Sequence, residues 1–146
     1  MKKRVSARAI IIENDQVLTM FRRKKKDNGN YKEYYVIPGG GVEPNETLEE
    51  TCIRELKEEY NVDIEILGYL GADEKEDTIG HLFHAKIVKG IPSLGGEESE
   101  RNNEDNYYEI RKIDLNKLNE IDIDAIEFIN KAKNLEYVGL DNVKNR

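Results

Sequence analysis

The sequence predicts one α/β sandwich domain. Three observations carry that prediction. Short apolar runs bounded by turn residues stand before and after a strongly periodic helix, Thr47 to Tyr60. A second apolar-periodic helix stands near the end of the chain. The length of 146 residues suits a single hydrophobic core.

The first half opens with strands. Val5 to Ile12 ends in the apolar run Ala9-Ile10-Ile11-Ile12, and Gln16 to Phe21 returns after Glu13-Asn14-Asp15, so the two form a hairpin. The charge run Arg22-Arg23-Lys24-Lys25-Lys26 follows, either as a solvated strand end or as a source of phosphate contacts from Arg22 or Arg23. Asp27 to Asn30 has turn chemistry. Tyr34 to Ile37 is a short strand entering Pro38-Gly39-Gly40-Gly41, where the backbone is free to bend sharply and approach a ligand. Tyr34 or Tyr35 either packs on its strand or stacks on a base.

Thr47-Leu48-Glu49-Glu50 reads as a capping box, and from there Leu48, Cys52, Ile53, Leu56 and Tyr60 fall at helical spacing. Glu55, Glu58 and Glu59 share a different face of that helix. Like charges so placed cost a few tenths of a kcal/mol per pair, so the face is either well solvated or holds a cation. Hard divalent ions take oxygen ligands of this kind and bridge to substrate phosphates.

The spacing from Gly40 through Glu46, Arg54-Glu55-Leu56, Glu58-Glu59 and Val62 resembles the signature of the Nudix hydrolases, MutT-like proteins. One position departs: Asn61 stands where the family has glycine. A glycine there would end the helix in the left-handed region, and asparagine is the usual second choice. The sequence alone therefore predicts that Asn61→Gly is neutral or slightly stabilising.

The resemblance implies a mixed sheet between helices, with the box as a loop-helix-loop. It implies metal-dependent cleavage of a phosphoanhydride in a nucleoside diphosphate linked to a group X, with Mg²⁺ or Mn²⁺. By position Glu58 and Glu59 would be the main metal ligands and Glu55 a third ligand or the base. The backbone carbonyl of Gly39 or Gly40 would add a ligand. Arg54 would orient carboxylates, four residues from both Glu50 and Glu58, and Glu46 would brace the loop. A further catalytic carboxylate comes in many members from a loop before a late strand. That loop here offers Glu97, Glu98, Glu100, Glu104 and Asp105, with Glu100 favoured by its distance from Tyr107. With Arg22, Arg23 and Tyr35 as substrate contacts, the lean is to a (deoxy)nucleoside triphosphate split into monophosphate and pyrophosphate. ADP-ribose-cleaving members often carry a proline a short way beyond the box, where this chain has Asp77-Thr78. The alternatives are a nucleotide sugar or ADP-ribose as substrate, or a non-catalytic nucleotide-sensing module. Such modules usually lose box carboxylates, and this box keeps them.

After the helix, Val62 to Leu67 alternates as a half-buried strand, Asp73 to Asp77 is an acidic turn, and Gly80 to Lys89 is another strand. His81 and His84 lie three apart, so they face opposite sides of it and read as structural or surface residues. Gly90 to Asn106 is a long polar loop, functional or mobile. Tyr107 to Ile113 is a last strand, and Asp122 is the expected cap of the final helix, with Ala125, Ile126, Phe128, Ile129 and Ala132 inward. Residues 134–146 read as a frayed tail in which Tyr137-Val138 can add a short strand.

Composition narrows the partners. The net charge is −7, but residues 1–32 hold ten Lys/Arg against three acids, whereas residues 43–77 hold thirteen acids against three bases. That asymmetry suits a metal bound to a small phosphorylated ligand and not a duplex nucleic acid. No apolar run approaches a membrane span, and the first residues lack a signal peptide's apolar region. The lone Cys52 lies on the apolar stripe as a small hydrophobe, so no internal disulfide forms. The expectation is a cytoplasmic monomer or homodimer.

Overall fold

In the computed structural model, which describes residues 2–96 and 102–139, strand β1 (Arg4–Glu13) turns into β2 (Gln16–Lys25) through Asn14 and Asp15. Both turn residues have positive φ, 52° and 59°, the conformation of a two-residue hairpin that Asn and Asp tolerate. The remaining strands are β3 (Tyr31–Val36), β4 (Gly39–Gly41), β5 (Asp63–Glu74), β6 (Thr78–Lys89) and β7 (Asn106–Asp114). Helix α1 (Leu48–Tyr60) lies between β4 and β5, and a 3₁₀ turn (Leu115–Glu120) precedes α2 (Ile126–Lys133).

The sheet is mixed. Its path runs β3-β2-β1-β6-β5, with β4 added to β1 and β7 to β2. β1 and β6 pair in parallel from Arg4–Thr78 to Ile11–Ala85, and the named strand pairs otherwise run antiparallel. β1 and β2 pair only next to their turn, at Ile12–Val17 and Glu13–Gln16. Beyond it β2 pairs with β3 and β7 instead.

Alternation along β1 divides the interior into two layers. Ala7, Ala9 and Ile11 face α1 and pack with Leu48, Cys52, Leu56 and Phe83. Ile10 faces the other way, with Ile37, Leu70, Leu82 and the α2 residues Phe128, Ile129 and Ala132. Helix, sheet and helix thus stack as a sandwich. On α1 the buried stripe includes Thr51, while Ile53 is 43% exposed, so one apolar residue expected inside lies on the surface.

At the end of the chain one expectation changes, and the strand-like pairing allowed for Tyr137-Val138 is met in part. Asp122 does not cap α2. Its carbonyl accepts from the Tyr35 amide at 2.8 Å, and the cap is Ala125, in the left-handed region without a side-chain bond. The stretch just after α2 also docks on the sheet: the Val138 amide donates to the Tyr69 carbonyl at 2.8 Å, and the Tyr137 ring covers Gly68, where a Cβ would lie 2.4 Å from its Cγ.

The two histidines are buried structural groups. His81 Nδ1 meets the Tyr69 hydroxyl at 2.8 Å, and His84 Nδ1 meets that of Tyr137 at 2.8 Å. Burial lowers the pKa of His84 below its ordinary 6.5. The unfolded chain is then the better proton acceptor, so stability is lost as pH falls through the ordinary value. Acidification from about pH 8 to about pH 5 should therefore shrink the thermal stability of the wild type relative to His84→Gln. A difference in melting midpoint that stays constant over that range would rule this out.

Candidate active site

The site is built on the turn from β4 into α1. Gly39 has φ of 147°, and a Cβ there would lie 2.3 Å from the Ala7 carbonyl oxygen. Gly40 points the other way, where a Cβ would lie 2.5 Å from Glu55 Oε1. Both positions need glycine for space, the second because a carboxylate stands against the backbone.

α1 starts as the sequence predicts. The Thr47 hydroxyl accepts from the Glu50 amide at 3.1 Å, and the Glu50 carboxylate accepts from the Thr47 amide at 2.8 Å. The helix ends at Asn61, left-handed with φ of 56° and ψ of 38°. Its amide bonds the carbonyls of Leu56 and Lys57. Its side chain does more than suit that backbone. Asn61 Nδ2 donates to the Ser93 carbonyl at 3.2 Å and to the Ser93 hydroxyl at 3.0 Å. The Ser93 amide in turn donates to Tyr60, and that of Gly95 to Glu59. A glycine at this position would lose the tie to the loop.

Glu55, Glu58 and Glu59 bring carboxylate oxygens within 4.8 Å of one another. Their mutual repulsion is offset by Arg54. Its Nη1 donates to Glu55 at 3.0 Å and Glu58 at 3.3 Å, and its Nε and Nη2 form a fork on Glu46 at 2.7 and 3.0 Å. Arg54 Nη2 also donates to the Gly41 carbonyl at 3.1 Å. Glu50, four residues away, is occupied by the cap and not by Arg54. Glu46 accepts further bonds from the Thr51 hydroxyl at 2.6 Å and the Glu43 amide at 3.1 Å. Arg54 holds the Glu46 carboxyl down at about 2, so the bridge stays ionised until pH falls through that value. Cys52 is no nucleophile: burial pushes its thiol far above the usual range.

A groove runs from these carboxylates to a set of cations. Glu55, Glu59, the glycines Gly39, Gly40 and Gly41, and Arg4, Arg8, Arg22, Tyr34 and Tyr108 line it together. The Arg22 guanidinium stacks 3.8 Å from the Tyr108 ring centroid and donates to Asn106 at 2.9 Å. Arg8 donates to the Ile37 carbonyl at 2.9 Å. A second cavity adjoins through the shared residues Arg4, Arg8, Val36 and Ile37, and adds Tyr35, Asp73, Lys75 and Asp124.

Strand alternation sorts the sequence candidates. Arg22 and Tyr34 pair across β2 and β3 and share the groove face. Arg23 lies on the opposite face, bound to Glu33 at 2.9 Å, and lines neither cavity. Tyr35 lines the adjoining cavity, its hydroxyl accepting from Arg111 at 3.0 Å. Asp105 meets Lys25 at 4.0 Å, and neither it nor Glu104 joins the Glu55–Glu58–Glu59 group. Glu97, Glu98 and Glu100 lie outside the described residues. Sequence reading passed over Arg4, Arg8 and Tyr108. The pattern Arg4-x-Ser6-x-Arg8 in a strand is the signal that could have found the two arginines, since it puts them on one face.

Known proteins resemble this chain over most of its length. A family model of the NUDIX domain matches residues 2–130. An ADP-ribose pyrophosphatase of Methanocaldococcus jannaschii is 34% identical over 121 residues, which span 82% of this chain and 67% of that protein. Among solved structures, a MutT NUDIX hydrolase from Burkholderia pseudomallei aligns with TM-score 0.68 at 20% identity, over 90% of this chain and 98% of that one. A NUDIX hydrolase from Nitrosomonas europaea aligns with TM-score 0.72 at 15% identity, over 99% and 98%. At such identities the structures speak for the fold.

Two outcomes follow from the ties around α1. Arg54→Lys keeps the charge and loses the fork, and should lower stability by about 1–3 kcal/mol in denaturant melts. Asn61→Gly trades a left-handed strain for the lost Ser93 bonds, so it should fall between neutral and about 1 kcal/mol destabilising. Asn61→Ala, which loses the Ser93 bonds and keeps the left-handed strain, should melt lowest, and equal melts for all three proteins would show that the bond carries no energy.

Proposed function

This chain belongs to the Nudix hydrolases, and on that premise we propose that it hydrolyses the phosphoanhydride of ADP-ribose with a divalent cation, Mg²⁺ or Mn²⁺. The observation that carries the reading is one groove lined by Glu55 and Glu59 together with Arg4, Arg8 and Arg22, with the Glu58 carboxylate within 4.8 Å of the two acids. The donor set fits a hard cation: carboxylate oxygens in mutual reach, with side-chain-free Gly40 against Glu55. A bound cation of this kind neutralises phosphate charge and lowers the pKa of water.

The residues of the chain supply the rest. Arg4, Arg8 and Arg22 offset the negative charge that would repel a nucleophile from the diphosphate. Glu58 and Glu59 would hold a bound cation. Glu55, set against the glycine backbone, takes the proton of the attacking water, and Arg54 keeps it and Glu58 in place. Water adds to one phosphorus as the bond to the bridging oxygen breaks, giving AMP and ribose 5-phosphate. The adjoining cavity suits a two-ended substrate. Its Tyr35 ring offers a face to a base, and Asp73 and Asp124 offer acceptors to sugar hydroxyls. The Methanocaldococcus relative supports ADP-ribose over the triphosphate that sequence reading favoured. The triphosphate stays as the second reading, because Arg22 adds a third guanidinium beyond what a diphosphate needs.

Purified protein should cleave ADP-ribose only with Mg²⁺ or Mn²⁺. Glu58→Gln and Glu59→Gln should each lose roughly 10²–10⁴ in rate while melting like the wild type. Turnover that survives a chelator, or full activity in both variants, would overturn the metal assignment. Triphosphate cleavage with ADP-ribose barely touched, its site of attack read by ¹⁸O incorporation, would move the substrate to the second reading.

A further inference from the structure

The basic segment after Arg22 is not absorbed by the reaction above. Lys24 stands directly opposite Lys32 across β2 and β3, one step along from the Arg22–Tyr34 pair and on the same face. Like charges placed opposite one another in a sheet are unfavourable. On the other face the cations are matched: Arg23 has Glu33 at 2.9 Å, and Lys25 has Asp105 at 4.0 Å. Lys24, Lys26 and Lys32 form no ion pair among the described residues.

These lysines are not isolated from the active groove. A depression lined by Lys24, Lys25, Lys26 and Lys32, with the single acid Asp27, includes Tyr34, the residue that also lines the groove of Glu55 and Glu59. Lys32 Nζ lies 5.1 Å from the Tyr34 ring centroid, and the Arg22 guanidinium 5.8 Å from it. Through Tyr34 the cations of the groove, Arg8 and Arg22, adjoin those of the depression, Lys24, Lys26 and Lys32. Two-residue steps along a strand are about 6.7 Å, so Lys24 stands that far beyond Arg22, and Lys26 follows just past the strand end at Lys25.

We propose that Lys24, Lys26 and Lys32 form a distal phosphate subsite, which takes a phosphate chain that continues beyond the anhydride held in the groove. ADP-ribose, a diphosphate, leaves this subsite unused, and the ligand class it serves is that of the second reading, a nucleotide with a phosphate chain longer than a diphosphate. A single-stranded oligonucleotide fits less well. Strand-tracking grooves interleave aromatic faces with their cations, and beyond Tyr34 this row has none, Tyr31 lying on the opposite face beside Asp105. The proposal rests on the groove being the substrate site, and its test is kept free of turnover.

Binding of inorganic tripolyphosphate is measured by calorimetry with a chelator present, so that neither metal nor hydrolysis enters. The variant is Lys24→Gln/Lys26→Gln/Lys32→Gln. The charge-matched control is Lys86→Gln/Lys89→Gln/Lys117→Gln, whose positions line neither the groove nor the depression. The hairpin variant should bind roughly tenfold more weakly and lose part of its salt dependence, while the control binds like the wild type. A thermal melt verifies folding, and single Lys24→Gln should show a smaller loss in the same direction. No binding by the wild type, or equal affinity in all three proteins, overturns the subsite. It is also overturned if the lysine changes weaken a 5′-phosphorylated oligonucleotide and leave tripolyphosphate untouched. Failure of ADP-ribose hydrolysis would leave this result standing and count against the substrate alone.

Discussion

The arginine at position 54 is the interaction on which the site depends. Three carboxylates within 4.8 Å of one another would drive their side chains apart without a countercharge. Arg54 supplies it from the same helix, and its planar fork reaches Glu46 while the remaining nitrogen meets Glu55 and Glu58. The same group bonds the Gly41 carbonyl, so one guanidinium joins the glycine strand, the loop and the helix. A lysine would offer a point charge with no geometry. Stability and chemistry are therefore coupled here through a residue that need not touch substrate.

The glycine strand β4 is the counterpart of that arrangement. It lies on β1 with Gly40 beside Ala7 and Gly39 beside Arg8. Side chains alternate across a strand, so Gly40 faces the helix and Gly39 and Gly41 face the arginines. Any side chain at Gly40 would fill the place of the Glu55 carboxylate, and any at Gly39 would strike the backbone of Ala7 and Arg8. Removing these side chains lets acids on one face of the strand and cations on the other line a common groove.

Local chemistry was legible in the sequence, and long-range pairing was not. The capping box, the left-handed Asn61, the acidic face of α1 and the first hairpin follow from short-range rules and appear, the hairpin with its turn tightened from Glu13-Asn14-Asp15 to Asn14-Asp15. Ile53 went astray because a helical stripe read from apolar residues alone cannot see that Thr51 bonds Glu46 and turns inward. Asp122 went astray because its backbone was already committed to Tyr35, a partner far away in the chain. Arg22 and Arg23 could not be separated until β2 was known to pair with β3 in this register.

The charge asymmetry noted from composition gains a physical meaning through the sheet. The basic first stretch supplies β1 and β2, and the acidic middle supplies α1. β1 is the strand both share, since it carries Arg4 and Arg8 and backs α1 through Ala7, Ala9 and Ile11. Parallel pairing with β6 buries the middle of β1 and fixes its twist, so the two arginines are set by the core rather than by a loop. Arg8 is the clearest case. Burial lowers its pKa, yet its bond to the Ile37 carbonyl and the nearby Glu55 keep a cation there. A charge held in that way has little reorganisation left to do when an anion arrives, which is the condition under which electrostatic stabilisation is strongest.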